Sequence, residues 1–400
     1  MVDVNAAVGA NQTVSVKVTL PDRGTAERIM HFNNGTWYGS TDIVGASQPL
    51  TEWDFAEGST LPFYSEFLSL QNPNSTEVVI DLNYATDIGA HPVKTLTLPP
   101  ISRTSVIVFQ GDLSPNPACQ LSGPSANCGV GTGIVGVAVQ VKSRSLPIVA
   151  ERPFYVNHYD FGAGPVADGH VAFGAAAPAT QWNFAEGTTQ AGFNEYLSLQ
   201  NPSTSPATVT LRYLHDLGVT VKTLTLKAQS RFTVLVFDPQ YGVGRGLVGV
   251  STQVMSDRPI VAERPMYMVK DFGSGPVAGA HDVVGASSLA TVFGFAFAST
   301  VAGCNDYLTI QNPNGVVANV TIDYETPAGR ITKHLTVLAN IRHTVLVFSD
   351  NGEGIGPGYA VLGIVVSSDQ PVMVEKPTYS ANAGTYGATD TMGYTSAGGF

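Results

Sequence analysis

The sequence PIVAERPMY, residues 259–267, occurs in three versions along the chain. It appears as PIVAERPFY at residues 147–155 and as PVMVEKPTY at residues 371–379, so that each version starts 112 residues after the preceding one. Three further segments recur in the same order, namely WNFAEGTT from Trp182, EYLSLQNPS from Glu195 and QSRFTVLVF from Gln229. A fixed period of this kind indicates tandem structural repeats.

The repeats divide the chain into a half-module and three modules, here called copies 1, 2 and 3. The predicted bounds are 1–52 for the N-terminal half-module, 53–181 for copy 1, 182–292 for copy 2 and 293–400 for copy 3. The half-module is recognised by GTAERIMHF, whose Glu27 aligns with Glu263 of copy 2. Copy 1 is the longest because it carries an insertion, and an insertion confined to one repeat marks a surface loop.

Apolar and polar residues alternate over short runs within each copy. In copy 2 these runs include residues 195–200, 207–213 and 221–226, and they are separated by Pro, Gly, Asn or Asp. A period of two is typical of half-buried β-strands. The sequence therefore predicts an all-β fold of tandem immunoglobulin-like β-sandwich modules of about 112 residues. In the half-module, VSVKVTL (14–20) and AERIMHF (26–32) are predicted strands.

The composition limits the kinds of molecule that the protein is expected to bind. Apolar residues make up 44% of the chain, which is enough to bury cores, but charged residues make up only 13%, and the net charge is −11. An acidic chain without a cluster of Lys and Arg is not expected to bind nucleic acid. The uncharged stretch 283–305 is interrupted by Gly and Ser and aligns with WDFAEGST and WNFAEGTT, which carry Glu, so no membrane insertion is predicted.

The three cysteines predict one disulfide. Cys119 and Cys128 flank a loop rich in Pro, Ser and Gly inside the insertion of copy 1, and a pair at this spacing can close a small ring in an oxidising compartment. Two free thiols are the alternative. Cys304 is expected to be a small buried residue. Cysteine and histidine spacings typical of zinc sites are absent from the sequence, so neither a metal nor a cofactor is predicted.

Glu-Arg pairs recur in the AERP motif, as Glu151 and Arg152 in copy 1 and as Glu263 and Arg264 in copy 2. Neighbouring residues of a strand point to opposite faces of a sheet, so such a pair cannot act together on one substrate atom. These four residues are predicted to form structural ion pairs rather than a catalytic dyad.

Two further sets of residues are candidates for contacts. Glu57 and Glu186 lie in the FAEG motif and are candidate acids or metal ligands, but copy 3 has Phe297 there, so the carboxylate is not needed for the fold of a module and is a candidate for contacts between modules. Trp37 and Tyr38 are candidate contact residues for a ligand.

Two histidines occupy the same place in copies 1 and 2. His170 and His281 align with Thr41 and Thr389, so a hydrogen bond that caps a turn is predicted there. No nucleophile elbow, catalytic triad or phosphate-binding loop is recognisable in the sequence. The chain is therefore not expected to be an enzyme.

The order of the motifs resembles a known kind of repeat. Trp-x-Phe-Ala-Glu-Gly, then Tyr-Leu-Ser-Leu-Gln-Asn-Pro, then Val-Ala-Glu-Arg-Pro is similar to uncharacterised tandem β-repeat modules of bacterial secreted and cell-surface proteins. The resemblance covers nearly the whole chain and is weakest at FGFAFAST in copy 3. It implies an extracellular location and a modular architecture, and it implies no activity or ligand.

These observations predict a structural extracellular protein that self-assembles as the subunit of a surface filament or layer, so a homo-oligomer or polymer is expected. One alternative is an adhesin or carbohydrate-binding module that contacts surface glycans through the Cys119–Cys128 loop or exposed aromatic residues. A second alternative is a virion fibre protein.

Overall fold

A computed structural model covers all 400 residues. The structure describes the chain except for residues 21–23, 34, 36–37, 88, 92, 112–127, 274, 383–384 and 396–400. Its described residues form antiparallel sheets and one short helix, α1 (Val4–Val8), so the predicted all-β fold is confirmed. No helix among the described residues is long and apolar enough to cross a membrane.

The strands repeat in the same order in each copy. The half-module contributes the hairpin β1 (Glu27–Asn33) and β2 (Tyr38–Val44). Copy 1 contains β3 (Glu52–Phe55), β4 (Tyr64–Asn72), β5 (Val78–Thr86), β6 (Gly89–Ala90), β7 (Lys94–Leu98), β8 (Ser102–Ile107), β9 (Val137–Ser143), β10 (Val149–Asp160) and β11 (Pro165–Phe173).

Copies 2 and 3 follow this pattern with longer strands. Copy 2 contains β12 (Ala179–Phe184), β13 (Phe193–Asn201), β14 (Ala207–His215), β15 (Gly218–Leu226), β16 (Ser230–Leu235), β17 (Val250–Asp271) and β18 (Pro276–Val284). Copy 3 contains β19 (Ala290–Ala298), β20 (Cys304–Asn312), β21 (Ala318–Thr326), β22 (Gly329–Val337), β23 (Ile341–Leu346), β24 (Leu362–Asn382), β25 (Thr385–Met392) and β26 (Tyr394–Thr395).

Each copy has two sheets that share one long strand or its equivalent. In copy 2 the first part of β17 pairs with β14 and β12, and the second part pairs with β13 and β18. The buried residues of both sheets, such as Trp182, Leu197 and Tyr213, form a common core. The indole N–H of Trp182 donates to the carbonyl of Ile260 at 2.9 Å, and Trp53 makes the same bond to Ile148 in copy 1, so the tryptophan holds the same place in both cores.

Four equivalent hairpins meet at the centre of the molecule. They are β1–β2, β10–β11, the second part of β17 with β18, and the second part of β24 with β25. Strand β2 packs against β11 and β25, and β18 packs against the same two strands. The second strands of the four hairpins therefore surround a pseudo-fourfold axis, and the half-module supplies the fourth hairpin.

The N-terminal region differs from the prediction. The segment 14–20, predicted as a strand, belongs to no sheet, and Val16 and Val18 are 56% and 57% exposed. Its alternating pattern has no neighbouring strand to pair with, because the half-module contributes only the β1–β2 hairpin to the described sheets. The neighbouring prediction at 26–32 corresponds to β1.

Candidate assembly interface

The FAEG segments begin at the last residue of β3 and of β12, and their equivalent in copy 3 forms the last four residues of β19. We call these three segments docking turns. Docking turns 1, 2 and 3 comprise residues 55–58, 184–187 and 295–298. A Cβ atom on Gly187 would lie 2.3 Å from the carbonyl oxygen of Val250 and 2.6 Å from Oε1 of Glu195, and Gly58 is equally crowded by Glu66. Copy 3 has Ala298 at this position together with the shorter Asp306 in place of the glutamate, so the extra methyl group and the shortened acid occur together.

Substitution of Gly187 by alanine tests this packing. We expect Gly187→Ala to lower the free energy of unfolding by about 1–3 kcal/mol, because the added methyl group overlaps two neighbouring oxygen atoms. Adding Glu195→Asp should recover part of that loss in urea unfolding. Equal losses in the single and double variants would show that Glu195 does not restrict this site.

The buried acid behind docking turn 2 makes stability depend on pH. Burial raises the pKa of Glu195 to about 8, and the nearby Arg264 opposes this rise. The folded chain thus keeps a proton that the unfolded chain releases near the usual pKa. We expect the stability contributed by this group to be greatest below pH 4.5 and to fall by about 1.4 kcal/mol per pH unit until pH 8.

Urea unfolding between pH 5 and pH 8 measures this dependence. Glu195→Gln should flatten the profile, whereas Glu77→Gln, on an exposed residue, should leave it unchanged. An unchanged profile in the Glu195→Gln variant would contradict the assignment.

Docking turn 1 is bound by a set of side chains on copy 2, which we call its receptor face. Arg231 on β16 donates to the carbonyl of Ala56 at 2.8 Å and to the carboxylate of Glu57 at 2.6 Å. Glu263 on β17 accepts the N–H of Glu57 at 2.8 Å, and the hydroxyl of Ser198 on β13 donates to the Glu57 carboxylate. The turn is therefore recognised through both its main chain and its glutamate.

Docking turn 2 is bound by copy 3 in the same way. Arg342 donates to Glu186 at 2.5 Å, and Glu375 accepts the N–H groups of Ala185 and Glu186 at 2.8 and 3.2 Å. The phenol of Tyr379 adds a hydrogen bond to Glu186 at 3.2 Å. Glu57 and Glu186, the candidate contact residues, thus occupy equivalent places in two successive junctions.

A second arginine crosses each junction from the other side. Arg152 of copy 1 lies 2.8 Å from Glu263 and 2.6 Å from Asp282, both of copy 2, and all three side chains are fully buried. Burial lowers the pKa of Arg152, but the two carboxylates outweigh this effect, so its pKa lies above the usual value. The guanidinium remains charged and is compensated inside the junction.

Arg264 repeats this arrangement between copies 2 and 3. It forms buried ion pairs with Glu375 at 3.0 Å and with Asp390. The Glu-Arg residues of the AERP motif therefore form ion pairs between copies, and the two members of each motif bind different partners, because they point to opposite faces of their strand.

The third junction joins copy 3 to the half-module and is built differently. Glu27 accepts the N–H groups of Ala296 and Phe297 at 2.7 and 3.2 Å, and Lys376 pairs with Asp42 at 3.1 Å. Phe297 replaces the glutamate of the docking turn, and Lys376 lies 6.0 Å from its ring centroid. Among the described residues of the half-module, no arginine matches Arg231 or Arg342.

One acidic residue, Asp168, lies at the pseudo-fourfold axis. The Asp168 carboxylate accepts the N–H groups of Gly169, Ala280 and Ala388 at 2.8, 2.9 and 3.2 Å. The N–H of Ser40 also stabilises it, so all four hairpins contribute one group from the same register position. Burial raises the pKa of Asp168, and the four N–H groups oppose that rise.

Asp168 stands where the other hairpins have glycine. The equivalent positions are Gly39, Gly279 and Gly387. A Cβ atom on Gly39 would lie 1.7 Å from an Asp168 oxygen. Gly39 and Gly387 therefore leave room for the Asp168 carboxylate, whereas Gly279 leaves room for Ala388.

The receptor face of copy 1 is the exception to the pattern. Ser69, Arg103 and Glu151 lie at the register positions of Ser198, Arg231 and Glu263, but no docking turn of the described structure is bound there. Glu151 pairs with Arg28 at 2.9 Å, as Glu263 pairs with Arg152, and Arg103 donates to the hydroxyls of Ser69 and Ser105 at 2.6 and 3.0 Å. The Arg28 side chain is 41% exposed, whereas its equivalents Arg152 and Arg264 are fully buried.

The structure describes some of the remaining candidate residues and not others. Cys128 is disulfide-bonded and Cys304 is free and buried, whereas Cys119 and Trp37 lie outside the described residues. Tyr38 is 37% exposed and packs near Tyr386.

The prediction for the two histidines is wrong. His170 and His281 lie inside β11 and β18 rather than in turns, and neither ring nitrogen of either residue makes a hydrogen bond. Burial lowers the pKa of both, so they are neutral side chains of the hairpin packing. Thr41, at the equivalent position, also lies inside a strand, β2, and its hydroxyl accepts the N–H of Val171 in β11 at 3.1 Å, which joins two hairpins rather than capping a turn.

A cavity of about 130 Å³ lies at one end of the four hairpins. Asp42, Asp282 and Asp390 line it, and each has one carboxylate oxygen without a hydrogen bond. Within the described ranges, no group of three His, Cys, Asp or Glu side chains is placed to hold one metal ion.

Part of the chain matches the model of an uncharacterised protein family. Residues 162–238 match a family of unknown function (DUF5719). No curated protein matches the chain.

Three solved structures are distantly similar to this chain. The crystal structure of Thermotoga maritima 1070 is 16% identical over 27% of this chain and 94% of its own, with a TM-score of 0.23. A DUF4785 family protein from Legionella pneumophila is 9% identical over 92% and 91%, with a TM-score of 0.13. The FN1–FN3 domains of chicken CNTN1 are 10% identical over 83% and 99%, with a TM-score of 0.11.

Proposed function

We propose that the chain is a structural protein rather than an enzyme, and that it acts outside the cell as a self-assembling subunit of a filament or layer. Each copy is an immunoglobulin-like β-sandwich module of about 112 residues. The observation that carries the proposal is the repetition of one contact, in which a docking turn enters the receptor face of the next copy. The fully buried Arg152, Glu263, Arg264 and Glu375 form their ion pairs across these junctions.

The junction between copy 3 and the half-module supports self-association. It lacks the Glu–Arg pair that joins copy 1 to copy 2 and copy 2 to copy 3, so it is held less strongly than those two junctions. Opening at this point would let the half-module of one chain dock on copy 3 of another. Exchange of an identical element is a known route to oligomers.

The extracellular location rests on separate observations. Cys128 is disulfide-bonded, and disulfides persist in oxidising compartments. The motif order also resembles that of secreted and cell-surface repeat modules.

Assembly can be measured directly on the purified chain. Analytical ultracentrifugation over rising protein concentration should show masses at multiples of 42.0 kDa, and electron microscopy should show filaments or sheets. Particles that stay at 42.0 kDa at every concentration would contradict self-assembly.

A further inference from the structure

We propose that the receptor face of copy 1 binds a Phe-Ala-Glu-Gly docking turn on a further β-module that carries this same repeat. The inference names a partner surface within the proposed structural role and rests on that role. The occupied junctions of the molecule show the chemistry of the expected occupant, namely two main-chain N–H groups, a carbonyl oxygen and a glutamate carboxylate.

The receptor face of copy 1 is already assembled in the form that binds a turn elsewhere. Ser69 pairs in register with Glu151 across β4 and β10, as Ser198 does with Glu263 across β13 and β17. Gln71 pairs with Arg103, as Gln200 does with Arg231. The cation, the hydroxyl and the carboxylate therefore hold the same relative positions as in the occupied face of copy 2.

Among the described residues, a groove lies at the place where a docking turn lies in copies 2 and 3. It has a volume of about 280 Å³ and is lined by Phe32, Phe67, Pro153 and Tyr155 beside Arg103. Apolar walls with a single cation at one side suit a turn that buries small apolar residues and presents one carboxylate.

A second copy of this chain does not supply the right turn. Ala56 and Ala185, in docking turns 1 and 2, are fully buried in their own junctions. Docking turn 3 is the accessible one, since Ala296 is exposed, but Phe297 offers no carboxylate to Arg103 and Glu27 occupies its N–H groups. The expected occupant is therefore a further module with an intact glutamate.

The unpaired segment 14–20 also supports a further module as the partner. Val16, Val18 and Leu20 alternate with polar residues and are 45–57% exposed, and the segment belongs to no sheet. A further module beside the half-module would supply strands against which such a segment pairs. The open receptor face and the unpaired segment are thus two independent signs of one partner.

Binding of a peptide to the whole chain tests the proposal. The probe is the blocked octapeptide WNFAEGTT, which copies residues 182–189, and a second peptide carries Gln in place of its Glu. Titration followed by nuclear magnetic resonance should give saturable binding of the first peptide. We expect at least tenfold weaker binding of the Gln peptide and of either peptide to an Arg103→Met variant.

Arg258→Met serves as the matched control, because Arg258 is exposed and lies in none of the junctions described. Its peptide affinity should equal that of the unaltered chain. Absence of saturable binding, or equal binding by the Arg103→Met variant, would overturn the proposal. Self-assembly is measured separately by particle mass, so failure of the peptide test leaves the proposed structural role standing, and monomeric particles that bind the peptide would reject self-assembly alone.

Discussion

Replacement of Arg264 by methionine is expected to lower the free energy of unfolding by about 3–5 kcal/mol. The guanidinium pairs with Glu375 and Asp390, and all three side chains are fully buried. Removal of the shared cation leaves two carboxylates in a medium of low dielectric constant without compensation. Such a loss greatly exceeds the median effect of a surface ion pair, which is about 0–1 kcal/mol.

The chain contains its own control for this prediction. Arg28 occupies the same register position in the half-module and pairs with Glu151, but its side chain is 41% exposed. Arg28→Met should therefore cost less than about 1 kcal/mol in urea unfolding. Equal losses for the two variants would show that burial of the junction between copies 2 and 3 does not set the strength of its ion pairs.

Replacement of Asp168 by asparagine is expected to cost about 2–4 kcal/mol, although the side chains have nearly the same shape. The carboxylate accepts N–H groups from four hairpins, and each hydrogen bond to a charged acceptor contributes about 1.5–3 kcal/mol. The amide NH₂ group would face N–H groups that need an acceptor. The variant should also show faster hydrogen exchange at Ala280 and Ala388.

Asp160→Asn provides the comparison for this variant. Asp160 accepts the N–H groups of Gly162 and Gly164 at 2.7 and 2.9 Å, but it lies in one exposed turn and joins no hairpins. Asp160→Asn should lower the free energy of unfolding by less than about 1 kcal/mol, because water replaces the lost acceptor. If Asp168→Asn were as mild, the axial carboxylate would not be what links the four hairpins.

The sequence was sufficient to predict the all-β fold, because strands such as β14 and β15 alternate cleanly and end at turn residues. It also made the FAEG glutamates candidates for contacts between copies, because Phe297 replaces the glutamate without loss of the repeat. Both inferences needed only local pattern or comparison among the copies.

The axial contact could not be predicted from local pattern. Asp168 meets N–H groups of Ala280 and Ala388, which lie 112 and 220 residues further along the chain. Its one signal in the sequence is an aspartate at a position where the other hairpins have glycine. The strand prediction for segment 14–20 failed for a related reason. Alternation of apolar and polar residues shows that a segment can form a strand, but it does not show whether a partner strand is present.

The arrangement of the copies around Asp168 is tested most directly by small-angle X-ray scattering of the chain at low concentration. Copies docked by the buried junctions form one compact body, and a compact chain of 400 residues has a radius of gyration of about 21 Å. We predict a value close to this. A clearly larger radius with the profile of separate bodies on a string would contradict the docked arrangement and the function built on it.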